Sequence, residues 1–211
     1  MPTTAKICGL TTPATLDAAV AGGASHIGLV FFPPSPRAVD FDQAAALAAR
    51  TPAHVKRVGV FVNPCNALLE RAIEAGRIDA VQLHDTAANR TAAIRAKHGR
   101  ETWAAVPVKT RGDLNAAHAY AGAADRVIYD AKTPPGSALP GGMGLRFDWA
   151  LLDGFRHPLP WALSGGLDSK NVAEAIRRTG AALVDVSSGV ESEPGVKAVD
   201  KIAAFLRAVR A

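Results

Sequence analysis

The sequence predicts an α/β fold, a single (β/α)8 barrel of the TIM type spanning residues 1–211. Three observations predict it. Short runs rich in Val, Ile and Leu alternate with helical stretches, and they do so eight times. Glycine stops most of the helical stretches. Two glycine- and serine-rich turns follow the last two apolar runs, where barrels of this class hold phosphate. The 211 residues suit one domain with a full-sized core, near the ~200-residue lower limit of the barrel.

The elements follow in order. An apolar run at 6–8 leads to a helix that starts at Pro13 and stops at Gly22-Gly23. A run at 26–31 precedes an alanine-rich helix at 42–50. Runs at 57–62 and 80–84 precede helices at 66–75 and 86–98, which end at Gly76 and Gly99. A run at 102–108 precedes a helix at 112–121 ending at Gly122. The sixth unit is irregular. Its strand, 126–130, opens into residues 132–145, rich in Pro and Gly and without helical period, then a short apolar piece at 147–152. A loop that long in a compact domain points to function. A run at 161–163 precedes a helix at 169–179 ending at Gly180. After the run at 183–186, a helix at 196–210 presents Val196, Val199, Ile202, Ala203 and Leu206 on one face. The runs lack polar alternation, which reads as a parallel sheet buried on both faces. An open doubly wound sheet is the rival architecture. Its glycine fingerprint belongs at the first turn, and Cys8-Gly9-Leu10-Thr11 is no such fingerprint.

Composition narrows the function. Net charge is +5, yet the 24 basic residues are scattered and do not interleave with aromatics, so nucleic-acid binding is not expected. No apolar stretch is long enough for a membrane span, and the N-terminus lacks the apolar run of a signal peptide. Cys8 and Cys65 make no disulfide framework, so the expected compartment is the reducing cytoplasm. The six histidines show no metal-ligand spacing, and no metal or other cofactor is expected.

A barrel brings every strand's C-terminal end to one face. The polar residues at those ends are Cys8, Arg37 in the Pro-rich loop after the second strand, Asn63, His84-Asp85, Lys109 and Asp130, followed by the two glycine turns. Cys8, beside a glycine at a strand end, reads either as a core residue or as a thiolate base. Asp130 closes an apolar strand, where a lone charge is costly. It reads as an ion-pair partner of Lys132 or as an acid whose pKa burial raises. Arg37 reads as a carboxylate-binding fork or as a solvated side chain. His84 reads as a hydrogen-bonded structural residue and Cys65 as a surface helix start. Gly165, Gly166, Ser188 and Gly189 offer successive N–H groups for an anion.

With those residues in place, the chain resembles the phosphoribosylanthranilate isomerase family over nearly its whole length. The likeness is carried by Lys6-Ile7-Cys8-Gly9-Leu10-Thr11, by Gly28 to Pro33 with Ser35-Pro36-Arg37, by Val58 to Asn63 and by Val81-Gln82-Leu83-His84. It continues in Asp130-Ala131-Lys132, Gly141-Gly142-Met143-Gly144 with Phe147-Asp148-Trp149, Leu163 to Leu167, and Val184 to Glu191. The resemblance implies an Amadori rearrangement in tryptophan biosynthesis without metal or redox cofactor. In that scheme Asp130 is general acid, Cys8 general base, Arg37 holds the anthranilate carboxylate, and Gly165, Gly166, Ser188 and Gly189 hold the phosphate of a small phosphosugar substrate. Asp185 is a candidate for the neighbour that keeps Asp130 protonated. The chain departs from the family at Asp85, where glycine is usual, at Met143, and in a fifth strand without lysine. Two rivals remain at this point, a metal-dependent phosphosugar epimerase and a non-catalytic binding barrel. Whether the chain is a monomer or a homodimer is left open, as is use of a histidine-pathway aminoaldose.

Overall fold

The computed structural model describes residues 2–134, 136, 137 and 139–211. Eight parallel strands close into a barrel in sequence order: β1 (Thr4–Cys8), β2 (His26–Val30), β3 (Lys56–Val62), β4 (Ala80–His84), β5 (Glu101–Val108), β6 (Arg126–Ala131), β7 (Trp161–Leu163) and β8 (Leu183–Val186). β1 pairs with both β2 and β8, so the sheet has no free edge. The helices outside the ring are α1 (Pro13–Ala21), α2 (Phe41–Arg50), α3 (Asn66–Ala75), α4 (Ala88–His98), α5 (Val172–Thr179) and α6 (Val199–Val209).

Local chemistry sets the helix boundaries. The Thr12 hydroxyl accepts from the Thr15 N–H at 3.4 Å ahead of α1, and Asp40 accepts from the Gln43 N–H at 2.7 Å ahead of α2. Gly99 and Gly180 end α4 and α5 in the left-handed conformation. Three expected helices are corrected. Residues Arg111–Tyr120 form a 3-10 helix, opened by a capping box between Thr110 and Asp113. Helix α5 starts only at Val172, because the Asp168 carboxylate accepts from the Lys170 and Asn171 N–H groups and forms a turn first. The last helix starts at Val199. Before it, β9 (Glu191–Glu193) and β10 (Val196–Lys197) make an antiparallel hairpin. Val196 and Val199 are therefore exposed, and α6 buries Ile202, Phe205 and Leu206 instead.

The strands are parallel and buried on both faces, as the sequence reading expects. Ile7, Ile27, Leu29, Phe61, Val81, Val127, Tyr129 and Val184 join the layer under the helices. Their neighbours point into the ring, as a period of two requires. Low in the ring these inward residues are apolar: Val58, Ala80, Trp103, Ile128, Ala162 and Leu183 form one cluster. Higher up polar residues, among them Gln82, His84, Asp130 and Asp185, join Val30, Val60 and Val62. The barrel thus has an apolar floor and a polar mouth at the C-terminal ends of its strands, where barrels of this class keep their chemistry.

Candidate active site

The mouth of the barrel holds a cleft. Cys8, Asp130, Arg37, Gly165, Gly166 and Ser188 all line it. Cys8 ends β1 and Asp130 lies near the end of β6, with β7 and β8 between them in the ring. Those two strands contribute Ser164 and Asp185 to the same cleft.

Period two places Lys6 on the same face as Cys8. Lys6 is fully buried, and its Nζ donates to Asp185 Oδ1 at 2.9 Å. The Ser164 hydroxyl donates to Asp185 Oδ2 at 3.2 Å. A polar chain therefore runs under the cleft from Lys6 through Asp185 to Ser164. A buried pair of this kind needs its remaining lone pairs satisfied to be tolerated.

Asp130 has no cationic partner among the described residues. Its Oδ1 accepts only from the Ala131 N–H, at 2.8 Å. Lys132 is turned away and pairs with Asp113 at 3.2 Å, which removes the ion-pair reading. Burial, and then the field of the Asp185 carboxylate, push the Asp130 carboxyl from its ordinary 3.8 up to about 7. The neighbour suggested from the sequence, Asp185, thus holds that place. Two glycines let the chain lie against this carboxyl. A side chain at Gly141 would collide with Asp130 Oδ2, and one at Gly165 would stand 3.2 Å from Oδ1 and 2.7 Å from the Ala131 nitrogen.

Cys8 is buried and free of disulfide. Burial pushes its thiol up, and the Lys6 ammonium is the strongest influence in the other direction. Gly28, on the neighbouring strand, makes room for the sulfur: a methyl group there would lie 2.8 Å from Sγ.

Arg37 is buried and not solvated, and its fork binds a carboxylate of the protein itself. Its Nε and Nη2 donate to the two oxygens of Glu191 at 2.7 and 2.8 Å, and Nη2 also donates to the Gly142 carbonyl at 2.9 Å. The bidentate face is taken by a protein carboxylate. Nη1, packed against Gly142, makes no hydrogen bond among the described residues and is the donor left for a ligand.

The two glycine turns lie side by side. Gly165 and Gly166 adopt φ of 90° and 61°, which a side chain tolerates poorly. Gly189 packs on the Leu167 carbonyl, where any side chain would clash. Among the described residues the N–H groups of Gly165, Gly166, Ser188 and Gly189 find no acceptor. Unpaired backbone donors at a cleft call for an anion or water. The second turn opens into a three-residue 3-10 turn. Its anion affinity would rest on N–H groups, not on a helix dipole.

The other candidates divide. His84 lies in the cleft, hydrogen-bonded to Gln82 at 3.0 Å, and burial lowers it to about 4, so the ring is neutral. Gln82 Oε1 is buried there without a partner among the described residues. Asn63 and Lys109 lie outside the lining, and Cys65 is exposed at the start of α3. Asp85 has φ of 48°, so this position demands the left-handed backbone that glycine gives freely and aspartate accepts. No three His, Cys, Asp or Glu side chains converge for a metal among the described residues, and no helix among them is long and apolar enough to cross a membrane.

Residues missed by sequence reasoning are Lys6, Gly28, Ser164, Ser187, Glu191 and Lys197. Strand parity with Cys8 could have found Lys6, and parity with Asp185 could have found Ser187. Nothing local announces the pairing of Glu191 with Arg37, 154 positions away.

Residues 5–208 match the family described as N-(5'phosphoribosyl)anthranilate (PRA) isomerase. The N-(5'-phosphoribosyl)anthranilate isomerase of Zymomonas mobilis subsp. pomaceae is 54% identical over 207 residues, 97% of each chain. The crystal structure of the phosphoribosyl anthranilate isomerase of Thermotoga maritima is 33% identical and covers 98% of each chain, with a TM-score of 0.87. Another such isomerase, solved in complex with reduced 1-(o-carboxyphenylamino)-1-deoxyribulose 5-phosphate, is 31% identical over 98% of each chain, with a TM-score of 0.82.

Proposed function

The chain belongs to the N-(5'-phosphoribosyl)anthranilate isomerase family, an isomerase family of tryptophan biosynthesis, and from that premise we propose how this cleft performs the reaction. The substrate is N-(5-phospho-β-D-ribosyl)anthranilate, an aminoaldose. The product is the aminoketose 1-(2-carboxyphenylamino)-1-deoxyribulose 5-phosphate, whose reduced form occupies one of the related structures.

Asp130, protonated, gives its proton to the furanose ring oxygen. The bond from C1′ to that oxygen breaks and the nitrogen lone pair forms a Schiff base. The positive nitrogen makes the C2′ proton acidic, and Cys8 as thiolate removes it. The resulting enolamine relaxes to the ketone. General acid and base groups work best when their pKa values lie near the working pH. The observation that carries this reading is a carboxyl group raised to about 7, without a cationic partner, facing the same cleft as the strand-end thiol.

The ends of the substrate are held apart from the chemistry. The phosphate sits against the unpaired N–H groups of Gly165, Gly166, Ser188 and Gly189. The anthranilate carboxylate takes Nη1 of Arg37, and not the whole fork. The apolar residues Val30, Phe32 and Val62 of the cleft receive the aromatic ring.

Burial opposes the thiolate and the Lys6 ammonium favours it; the positive Schiff base of the opened substrate favours it further. The direct test is rescue of a tryptophan auxotroph lacking this isomerase. Growth without tryptophan is the expected result, and failure despite soluble expression would overturn the reading.

A further inference from the structure

The β9–β10 hairpin carries a buried cluster that the scheme above does not use. Glu191 and Lys197 pair across the hairpin, and both side chains are buried. Glu191 Oε1 accepts from Arg37 Nε and from Lys197 Nζ. Oε2 accepts from Arg37 Nη2 and, at 3.2 Å, from the Gly195 N–H. Lys197 Nζ also donates to the Ser187 carbonyl at 3.0 Å and to its hydroxyl at 3.2 Å. The Ser187 hydroxyl in turn donates to the Cys8 carbonyl oxygen at 3.3 Å. Burial alone would raise the Glu191 carboxyl, yet Arg37 and Lys197 hold it down at about 2.

Stability is a weak reason for such a cluster, since well-packed apolar side chains often serve a fold as well. Its contacts supply a better one. It ends at Arg37 on one side and at the Cys8 strand end on the other. A free arginine side chain samples many rotamers. Fixing it before a ligand arrives removes that entropic cost from binding. Two cations share one carboxylate here, so a positive charge is left over in a buried place, joined through Ser187 to the Cys8 carbonyl. The charged groups whose field reaches Cys8 are Lys6 from β1, Asp185 from β8, Arg37 from the loop after β2, and Lys197 from β10.

We propose that Glu191 and Lys197 are positioning residues: Glu191 aims Arg37 so that Nη1 faces the cleft, and Lys197 sets a cation beside the strand end that carries Cys8. The proposal rests on the carboxylate role of Arg37 and the base role of Cys8.

The test uses the full chain with Cys65→Ser, so that Cys8 is the only thiol. Glu191→Gln and Arg37→Gln are assayed singly and together in steady state. Glu191→Gln raises KM about tenfold, the weight of one charged hydrogen bond, with little change in kcat. The double variant has a KM within about twofold of Arg37→Gln alone, because residues acting through one another are not additive. Additive effects, or an unchanged KM in Glu191→Gln, would overturn the role of Glu191. An unchanged KM in Arg37→Gln would sink the carboxylate reading itself, a different outcome from additivity. Should Glu191→Gln fail to fold, Glu191→Gln with Lys197→Met removes one charge of each sign and carries the same comparison. Lys197→Met alone moves the pH profile of Cys8 alkylation by iodoacetamide to higher pH. An unmoved profile would overturn the role of Lys197, while an alkylation-inert Cys8 that is dispensable for turnover would sink the base reading.

Discussion

Replacing Asp130 with asparagine separates catalysis from stability, and the two effects have opposite signs. On the acid role proposed for Asp130, catalysis loses its proton donor and kcat falls at least ~10²-fold. Stability gains. In the wild type the carboxyl titrates at about 7 in the folded chain, against an ordinary 3.8. The raised value means that the neutral form is favoured by folding. Its contribution is full below the unfolded pKa and is lost as pH rises through the folded one. A tenfold difference in proton affinity is worth about 1.36 kcal/mol, so between pH 5 and 7 the wild type loses roughly 2–3 kcal/mol relative to a neutral asparagine. For a chain of this size that corresponds to a Tm gap that widens by roughly 5–10 °C. Asp130 is partly exposed to the cleft, so the lower end of that range is the better expectation. Thermal melts of both proteins at pH 5, 6, 7 and 8 provide the assay. The gap should grow through pH 7 and then level off. A gap that stays constant across this range would refute the raised carboxyl, and a variant with near wild-type kcat would refute its role as acid.

Further predictions concern neighbouring residues. Cys8→Ser lowers kcat at least ~10²-fold while the fold is kept, checked by steady-state assay and circular dichroism. Gly28→Ala places a methyl 2.8 Å from the Cys8 sulfur; it costs about 1–3 kcal/mol by overpacking, read by urea denaturation, and lowers kcat by moving the thiol. Gly165→Ala forces a side chain into a backbone of φ 90° and against the Ala131 nitrogen. Its KM rises and competitive inhibition by inorganic phosphate weakens, and unchanged inhibition would remove Gly165 from the phosphate site.

The barrel itself is legible in the sequence because its signals are local. Glycine and proline punctuation marks α1 and α3 at their observed bounds, and the apolar runs do the same for β4, β7 and β8. Sequence and structure part where distant groups decide. Val196 and Val199 fit a helical stripe, but the pairing of Lys197 with Glu191 holds that stretch in a hairpin. The stretch 111–120 keeps helical spacing yet tightens to 3-10, since its capping box binds Asp113 to the end of β5. Cys8, Asp130 and the glycine turns can be named from strand-end position. The occupation of Arg37 by Glu191 cannot, since the two meet only when the barrel closes.

The glycines of the sixth loop set a limit on how this enzyme can diversify. Gly141 rests on Asp130, Gly142 on Arg37, and Gly144 holds φ of 71° beside Ser188. Each is tied to a different part of the cleft: the Asp130 carboxyl, the Arg37 guanidinium and the turn at Ser188. Met143 stands among them with 48% of its surface exposed. It is the one position in that tetrapeptide where a side chain of any size can be tried without disturbing the others. Drift in substrate preference therefore has an open channel at residue 143, flanked by positions whose packing or backbone leaves little room for anything but glycine.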